Sequence, residues 1–408
     1  MPPSAAGVLA AKRRRKVART LAGYFGPVDL SYRLYRSDKY ASEIEEITDW
    51  AAGSISLGND RDAGWALSLE MMRTDQIDPW RDYVLAMAEL AVGGDPDDLE
   101  RFPLGLYRTA RDEMLPAITY LEELELWSLE MESQEAELAE WPPEEVYSVT
   151  AGTGALAAVR RILNMLGWPD ALITFPPPIQ DSPLTSTMVL DPFEDSASSN
   201  WLAFCNALLG SRSFYALKTD RWGRWFTEKI RDAADFPPDI HYGPDPLEPL
   251  IVGDIQEGRD TTRFANVVIV ASQDTSQSGD GATRINVTLV NDDPDSPASV
   301  ANYGRRVYKR LERQTIGSRE DGIAIARAEL ARSASFHRSP RITTLADPRR
   351  FQIRQTYRIT DYSGDREILS EVPRWDVTSV SLPINHSGEQ ETMTHELGAV
   401  YPLEARIV

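Results

Sequence analysis

The chain has 408 residues, 42% of them hydrophobic, a formal net charge of −20 and one cysteine, Cys205. That length holds two to four domains with their own cores, and a single thiol excludes an intrachain disulfide framework and fits a reducing compartment. No run approaches the ~20 apolar residues of a helical membrane span, and an acidic body repels phosphate, which disfavours stable nucleic-acid binding.

Charge is uneven from the start. Lys12, Arg13, Arg14, Arg15, Lys16 and Arg19 have no acid among residues 1–20, so the remainder carries −26, six below the whole-chain value. No apolar segment of signal-peptide length follows Lys16. Residues 1–21 are therefore expected to be a solvated or disordered arm, with docking on an acidic partner through Lys12, Arg13, Arg14, Arg15 and Lys16 as the alternative.

Tyr32 to Tyr107 shows mainly strand patterning, with residues 78–90 ambiguous. Ile55 and Leu57 alternate with Ser54 and Ser56, Gly58, Asn59 and Asp60 form a turn, and Trp65, Leu67 and Leu69 alternate again. This predicts a hairpin with one apolar face. Gly93 to Asp98 is a loop or hairpin tip. Asp112 to Glu145 holds twelve acids and no Lys or Arg. Leu124 and Leu126 follow alternation while Leu121 and Leu124 follow helical spacing, so periodicity does not decide; the segment lacks the ordered spacing of a calcium loop and is expected to be a solvated acidic surface.

Trp141, Pro142 and Pro143 mark a boundary. A short strand at Val146–Thr150 precedes a helix from about Ala155 to Leu166, with Leu156, Val159, Ile162, Leu163 and Leu166 on one face. Ala171–Phe175 predicts a strand stopped by three prolines. A second helix is expected from about Ser198 to Leu209, capped by Asp195, Ser196 or Ser198, with Gly210 at its end. Strand candidates then flank the Asp220–Gly223 turn, and residues 236–249 are loop. Further strands are expected at Ile251–Ile255, Phe264–Ala271 and Arg284–Val290, before a Pro/Asp turn at Asn291–Pro297. A helix over Ser318–Ser335 carries a narrow stripe of Ile323, Ala326, Leu330 and Ala331 and a capping box of Ser318 with Asp321. Strands resume at Arg341–Leu345, Gln352–Thr360, Ile368–Val372 and Trp375–Leu382, and no short repeat is present.

Three chemical patterns fail on inspection. Gly152-Thr-Gly-Ala-Leu-Ala157 has dinucleotide-loop spacing, but no acid follows the second strand, and Asp170 sits at its wrong end. His395-Glu396 lacks the second histidine of a zinc protease, since Ala399 stands there, and no nucleophile elbow exists. No catalytic, cofactor-binding or metal-ligating residue, no cofactor and no enzyme activity are expected. Two alternatives remain: a carbohydrate-binding or glycoside-hydrolysing β protein using Trp50, Trp65, Trp80, Trp127 or Trp222 as platforms with two acids, and a nucleotide-dependent oxidoreductase on the Gly152 turn.

The order of Ile47-Thr-Asp49, Gly53-Ser-Ile-Ser-Leu57, Phe102-Pro-Leu-Gly105, the helices at Val159–Leu166 and Trp201–Leu209, and Asn291-Asp-Asp-Pro-Asp-Ser-Pro297 resembles the minor tail proteins of actinobacteriophages, the hub at the tip of a long-tailed phage tail. The resemblance implies an α+β, β-rich multidomain fold, with β-barrel-like domains flanking a small α/β region. The division would be a 1–21 arm, a 22–145 hub domain, a 146–235 inserted domain and a 236–408 second hub domain. It also implies a homotrimer forming a pseudo-sixfold ring in the virion, assembled in the host cytoplasm. Implied partners are distal tail, tail-tube, tape-measure and fibre proteins, with genomic DNA in transient passage. In that setting Glu122, Glu123, Glu130 and Glu137 become candidate lumen-facing acids. The chain ends soon after its last strands, so the peptidase, lysozyme-like and receptor-binding extensions of some members are not expected.

Overall fold

A computed structural model of the chain describes residues 12–17, 19–20, 30–58, 64–72, 75–78, 81–109, 118–121, 126–192, 200–230, 240–242, 251–272, 285–313, 316, 318–351, 356–359, 372, 374–385, 392–401, 403 and 405–407. In chain order come strands β1 (Leu30–Ser37), β2 (Glu43–Ile47), β3 (Trp50–Gly58), β4 (Trp65–Met71), β5 (Tyr83–Ala91), β6 (Leu99–Thr109), β7 (Ile118–Leu121) and β8 (Leu126–Ser133). Helix α1 (Glu135–Glu140), β9 (Tyr147–Val149), α2 (Ala155–Met165), β10 (Ile173–Thr174), β11 (Met188–Leu190), α3 (Trp201–Ser211), β12 (Lys218–Thr219) and β13 (Trp225–Phe226) follow. Next are β14 (Ile240–Tyr242), β15 (Ile251–Gln256), β16 (Val267–Ser272), β17 (Asn286–Asn291), α4 (Val300–Tyr303), β18 (Tyr308–Arg313) and α5 (Arg319–Ser335). The last are β19 (Arg341–Leu345), β20 (Thr356–Ile359), β21 (Arg374–Asn385), β22 (Thr392–Val400) and β23 (Ala405–Ile407).

The chain forms two compact units. The first comprises Met1–Ser133, Pro238–Glu257 and Pro340–Leu397, the second Gln134–Pro237, Gly258–Ser339 and Gly398–Val408. The units are thus not consecutive stretches of sequence. Strands from the expected 22–145 and 236–408 segments share one sheet, because β21 pairs antiparallel with β3, Leu382 opposite Ile55.

The first unit is built on a 14-stranded sheet ordered β15-β19-β22-β21-β3-β4-β8-β6-β5-β1-β2, with β7 on β8 and β20 joining β14 to β21. Among the described residues the order runs from edge to edge without closing, so the architecture is β-rich and multidomain with an open sheet rather than a closed barrel. The predicted hairpin is β3–β4, with Ile55 opposite Leu67 and both fully buried. Residues 78–90 resolve as strand β5 where they pair, Leu85 facing Tyr35 on β1 and Leu106 on β6. The Phe102–Gly105 motif is a bulge. Ala86 faces Gly105 while Met87 faces Pro103, leaving Leu104 extra. Gly105 has φ +150°, and the ring of Tyr107, whose hydroxyl donates to Leu104 C=O at 3.0 Å, fills the space a Cβ would need.

Among the described residues the second unit holds three apolar clusters, two of them large. In one, α2 and α3 bury Leu156, Val159, Ile162, Phe204, Cys205 and Leu208 with Trp168 and Trp225, whose rings meet edge-on at 5.2 Å. Such an aromatic pair adds ~1 kcal/mol beyond burial. The α3 cap is Asn200, whose Oδ1 accepts from Ala203 N–H at 2.8 Å, and the helix runs on through Gly210 to Ser211. Both points correct the expected Ser198–Leu209 boundaries. In the other core, α5 covers one face of the sheet β18-β16-β17-β23, burying Val268, Val270, Leu289, Ile325 and Leu330.

Asp321 ties the two cores together. Ser318 caps α5 by accepting Asp321 N–H at 3.1 Å, as its spacing predicts. The Asp321 carboxylate does not complete the box. It accepts instead from Ser318 Oγ at 2.9 Å, from Ser213 Oγ at 2.7 Å and from Arg212 at 3.0 Å. Asp321→Ala would strand a largely buried guanidinium, so a destabilisation of roughly 3 kcal/mol is expected. Urea unfolding measures it, and a loss under about 0.5 kcal/mol, the range of neutral surface changes, would contradict the role given to this tie.

Candidate functional site

The candidate acids separate in space. Glu130 is exposed on β8 and accepts from Ser68 Oγ at 2.8 Å. Glu137 is corrected: it is only 7% exposed in α1, because that helix packs on α3 instead of lying on a solvated surface. Its neighbour Glu135, which the sequence reading passed over, is fully buried and accepts from Thr219 N–H at 2.6 Å and Thr219 Oγ1 at 2.9 Å. Glu122 and Glu123 lie outside the described residues.

Glu130 belongs to a coherent face. Strand alternation that sends Ile55, Leu57, Leu67 and Leu69 inward sends Ser54, Ser56, Ala66, Ser68 and Glu70 to the other side. Cross-strand register aligns Ser381 with Ser56, Pro383 with Ser54, Ser54 with Ser68, Ser68 with Glu130 and Glu70 with Ser128. Over β21, β3, β4 and β8 this face presents hydroxyls, small side chains and carboxylates. At one side of it Glu132 on β8 stands in register with the largely buried Arg108 on β6. A surface of this composition offers phosphate no counterion-releasing contact.

The basic arm is in part folded back. Residues 12–17 and 19–20 are helical. Arg13 bonds Asp98 at 2.8 Å and Glu100 at 2.5 Å, and Lys16 reaches Asp98 at 3.3 Å. Hydrogen bonds from Arg13 and then Lys16 hold Asp98 below the usual carboxylate range. Val17 and Thr20 are buried, and Thr20 Oγ1 accepts from Gly93 N–H at 2.7 Å. These contacts correct the expectation of a wholly solvated arm. Lys12, Arg14 and Arg15 remain exposed.

The Gly152 turn carries its own anion. Gly152 has φ +85°, and Gly154 is the N-cap of α2. The Asp181 carboxylate accepts from Leu156 N–H at 2.9 Å and Ala157 N–H at 3.1 Å, taking the helix end where a bound phosphate would lie. A Cβ at Gly154 would collide with that carboxylate.

His395 is fully buried on β22, with Nε2 at 3.0 Å from Thr344 Oγ1 and Nδ1 at 3.3 Å from the Tyr357 hydroxyl. Burial, aided by Arg350 and opposed by Asp347, pushes its pKa down to about 3. Asp347 is itself buried. Burial works to raise its pKa, but hydrogen bonds and charge from Arg349, with the charge of Arg350, hold it low. Among the described residues no three His, Cys, Asp or Glu side chains converge as a metal site. The tryptophan platforms are corrected as well. Trp50 and Trp65 are core residues at 1% and 6% exposure, Trp127 is half-buried beside Tyr120, and Trp80 lies outside the described residues. Trp222 is 40% exposed.

Two outcomes are expected. Gly154→Ala should displace Asp181 and lower stability by about 1 kcal/mol, the worth of a helix cap, while calorimetric titration of the wild type with NAD, FAD and ATP gives no micromolar binding. His395 is neutral when folded and protonates near its ordinary value when unfolded. Its contribution is therefore complete above about pH 6.5 and is lost as pH falls toward 3, on the order of 5 kcal/mol in all. Urea midpoints between pH 7 and 4.5 should fall in the wild type and fall less in His395→Gln.

Neither a protein-family model nor a curated protein matches the sequence. Solved structures do match the fold. The 43 kDa tail protein of prophage MuSo2 from Shewanella oneidensis aligns with a TM-score of 0.53 at 12% identity, covering 91% of this chain and 98% of that one. A tail protein from Neisseria meningitidis MC58 aligns with a TM-score of 0.52 at 10% identity, covering 91% and 96%. At these identities the likeness is one of fold: this chain shares the β-rich, multidomain architecture of these two tail proteins.

Proposed function

We propose that the chain is a structural protein of a phage virion, a tail component, and within the tail the central hub of the tip. The observation that carries this reading is the fold match to two tail proteins over 91% of the chain. The order of the sequence motifs supports the placement at the tip of an actinobacteriophage tail. The reading includes a homotrimer: two compact β-containing units per chain suit a threefold ring that meets a sixfold tail tube. Its partners would be the distal tail and tube proteins, the tape-measure protein and other tip or fibre proteins. The chain acts by assembly and not by catalysis.

Passage of DNA supplies the physical role of the Ser/Glu face. A wall with Ser54, Ser56, Ser68, Ser381, Glu70 and Glu130 repels phosphate at short range, so DNA would slide without sticking. Salt screens such a field over ~8 to 10 Å, so only side chains on the wall matter. The exposed arm cations Lys12, Arg14 and Arg15 would meet an acidic surface on a neighbouring tail protein.

Phage carrying Glu70→Lys with Glu130→Lys should assemble in normal numbers and release DNA more slowly, most clearly at low salt. Unchanged release kinetics there would remove this face from the bore. Native mass measurement of the chain in its assembled state should give three copies of 45.7 kDa, and a monomer or hexamer would defeat the trimer.

A further inference from the structure

The arm helix is basic on both sides. Over residues 12–17 and 19–20 the helical period sets Arg13, Lys16, Val17 and Thr20 on one face and Lys12, Arg14, Arg15 and Arg19 around the other. The first face is seated on the tip of the β5–β6 hairpin. Arg13 donates to Asp98 at 2.8 Å, to Glu100 at 2.5 Å and to Leu99 C=O at 3.2 Å, and Lys16 donates to Asp98 at 3.3 Å. Val17 and Thr20 are buried, and the Lys16 stem fills the space that a Cβ on Gly93 would need. The four cations of the second face are exposed, and none has an ion-pair partner among the described residues.

Such a face works against its own helix. Lys12 with Arg15, and Arg15 with Arg19, are like charges at helical-neighbour spacing, where they repel. Solubility does not call for it, because the chain already carries −20. Carboxylates brought to this face would cancel the repulsion, and they must come from outside the chain, since the chain's own tip is taken by the inner face. The tip keeps acids to spare. Asp95 and Asp97, on the N-terminal side of Asp98, are exposed and have no ion-pair partner among the described residues. Leu99 beside them is 46% exposed. Each chain therefore holds an open basic face and an open acidic tip side by side. DNA or an anionic lipid surface laid on the cations would meet Asp95 and Asp97 as well, and the net charge of the body repels both. A second copy instead brings its acids on a compact loop.

We propose that the arm bridges two copies of this chain: its inner face stays on its own hairpin tip, while Lys12, Arg14, Arg15 and Arg19 meet Asp95 and Asp97 on the tip of the next copy. One contact of this kind, repeated between neighbours, closes a ring. The proposal deepens the homotrimer of the tail reading and rests on it for the presence of further copies. Sedimentation velocity of the purified chain reads the contact. Wild type should self-associate, less so as salt rises. Arg14→Glu with Arg15→Glu and Arg19→Glu should weaken association by about tenfold at an unchanged melting temperature, as should Asp95→Lys with Asp97→Lys. All five substitutions in one chain restore opposite charges and should restore association. A tagged Arg15→Cys chain mixed with an untagged Asp97→Cys chain should also give a disulfide joining the two on oxidation, with the buried Cys205 uninvolved. Association that ignores the reversals, a combined variant that stays dissociated, or the absence of the mixed disulfide overturns the bridge and leaves the trimer standing. A wild-type dimer that the reversals dissolve keeps the bridge and defeats the trimer. A wild-type chain that stays monomeric at high concentration overturns both.

Discussion

The first unit depends on one long-range pairing, β21 against β3. Among the described residues, the strands on one side of the sheet, β22, β19, β15, β20 and β14, are hydrogen-bonded to the other side, β4, β8, β7, β6, β5, β1 and β2, only through this ladder. Leu382 faces Ile55, and the serines at 381 and 56 face each other on the opposite side. A slip of one residue would exchange leucines for serines across the whole contact, so burial of one face fixes the register. The partners are far apart in sequence, which makes the pairing entropically costly to close.

The second unit is held differently. Its cores are ordinary apolar packing, but they carry polar ties: the buried Glu135 on Thr219, Asp321 on Ser213 and Arg212, and the more exposed pairs of Glu329 with Lys309 at 2.8 Å and Arg332 at 3.1 Å. Buried pairs of this kind contribute little net stability, because desolvation offsets their attraction. They are costly to break one-sidedly, and that selects a single arrangement of the elements they join. A protein that must present fixed surfaces to several neighbours benefits from such geometry.

Local periodicity made much of this legible. The β3–β4 hairpin, the apolar face of α2 and the Ser318 cap of α5 follow from spacing alone, since each is decided by neighbours within a few residues. Tertiary context decided the rest. Strand β22 was missed because its inward positions, Met393, His395 and Leu397, include a histidine that reads as polar until Thr344 and Tyr357 supply its partners. The acidic stretch before residue 145 appeared uniform, yet Glu130 is on a surface while Glu135 and Glu137 are buried, and only the packing of α1 separates them. The arm's cations gave no sign that Asp98 and Glu100, more than eighty residues on, would bind Arg13.

Fold and surface chemistry together make the tail-hub reading a statement about placement. The apolar side of the β21-β3-β4-β8 region is filled by the chain's own side chains, while the residues of its Ser/Glu side are half-buried or exposed. Cryo-electron microscopy of purified tails tests this placement most directly. The account predicts threefold density at the tip into which the first unit fits with Ser68 and Glu130 facing the axial channel. Density without threefold symmetry, or with that face packed against protein, would contradict it.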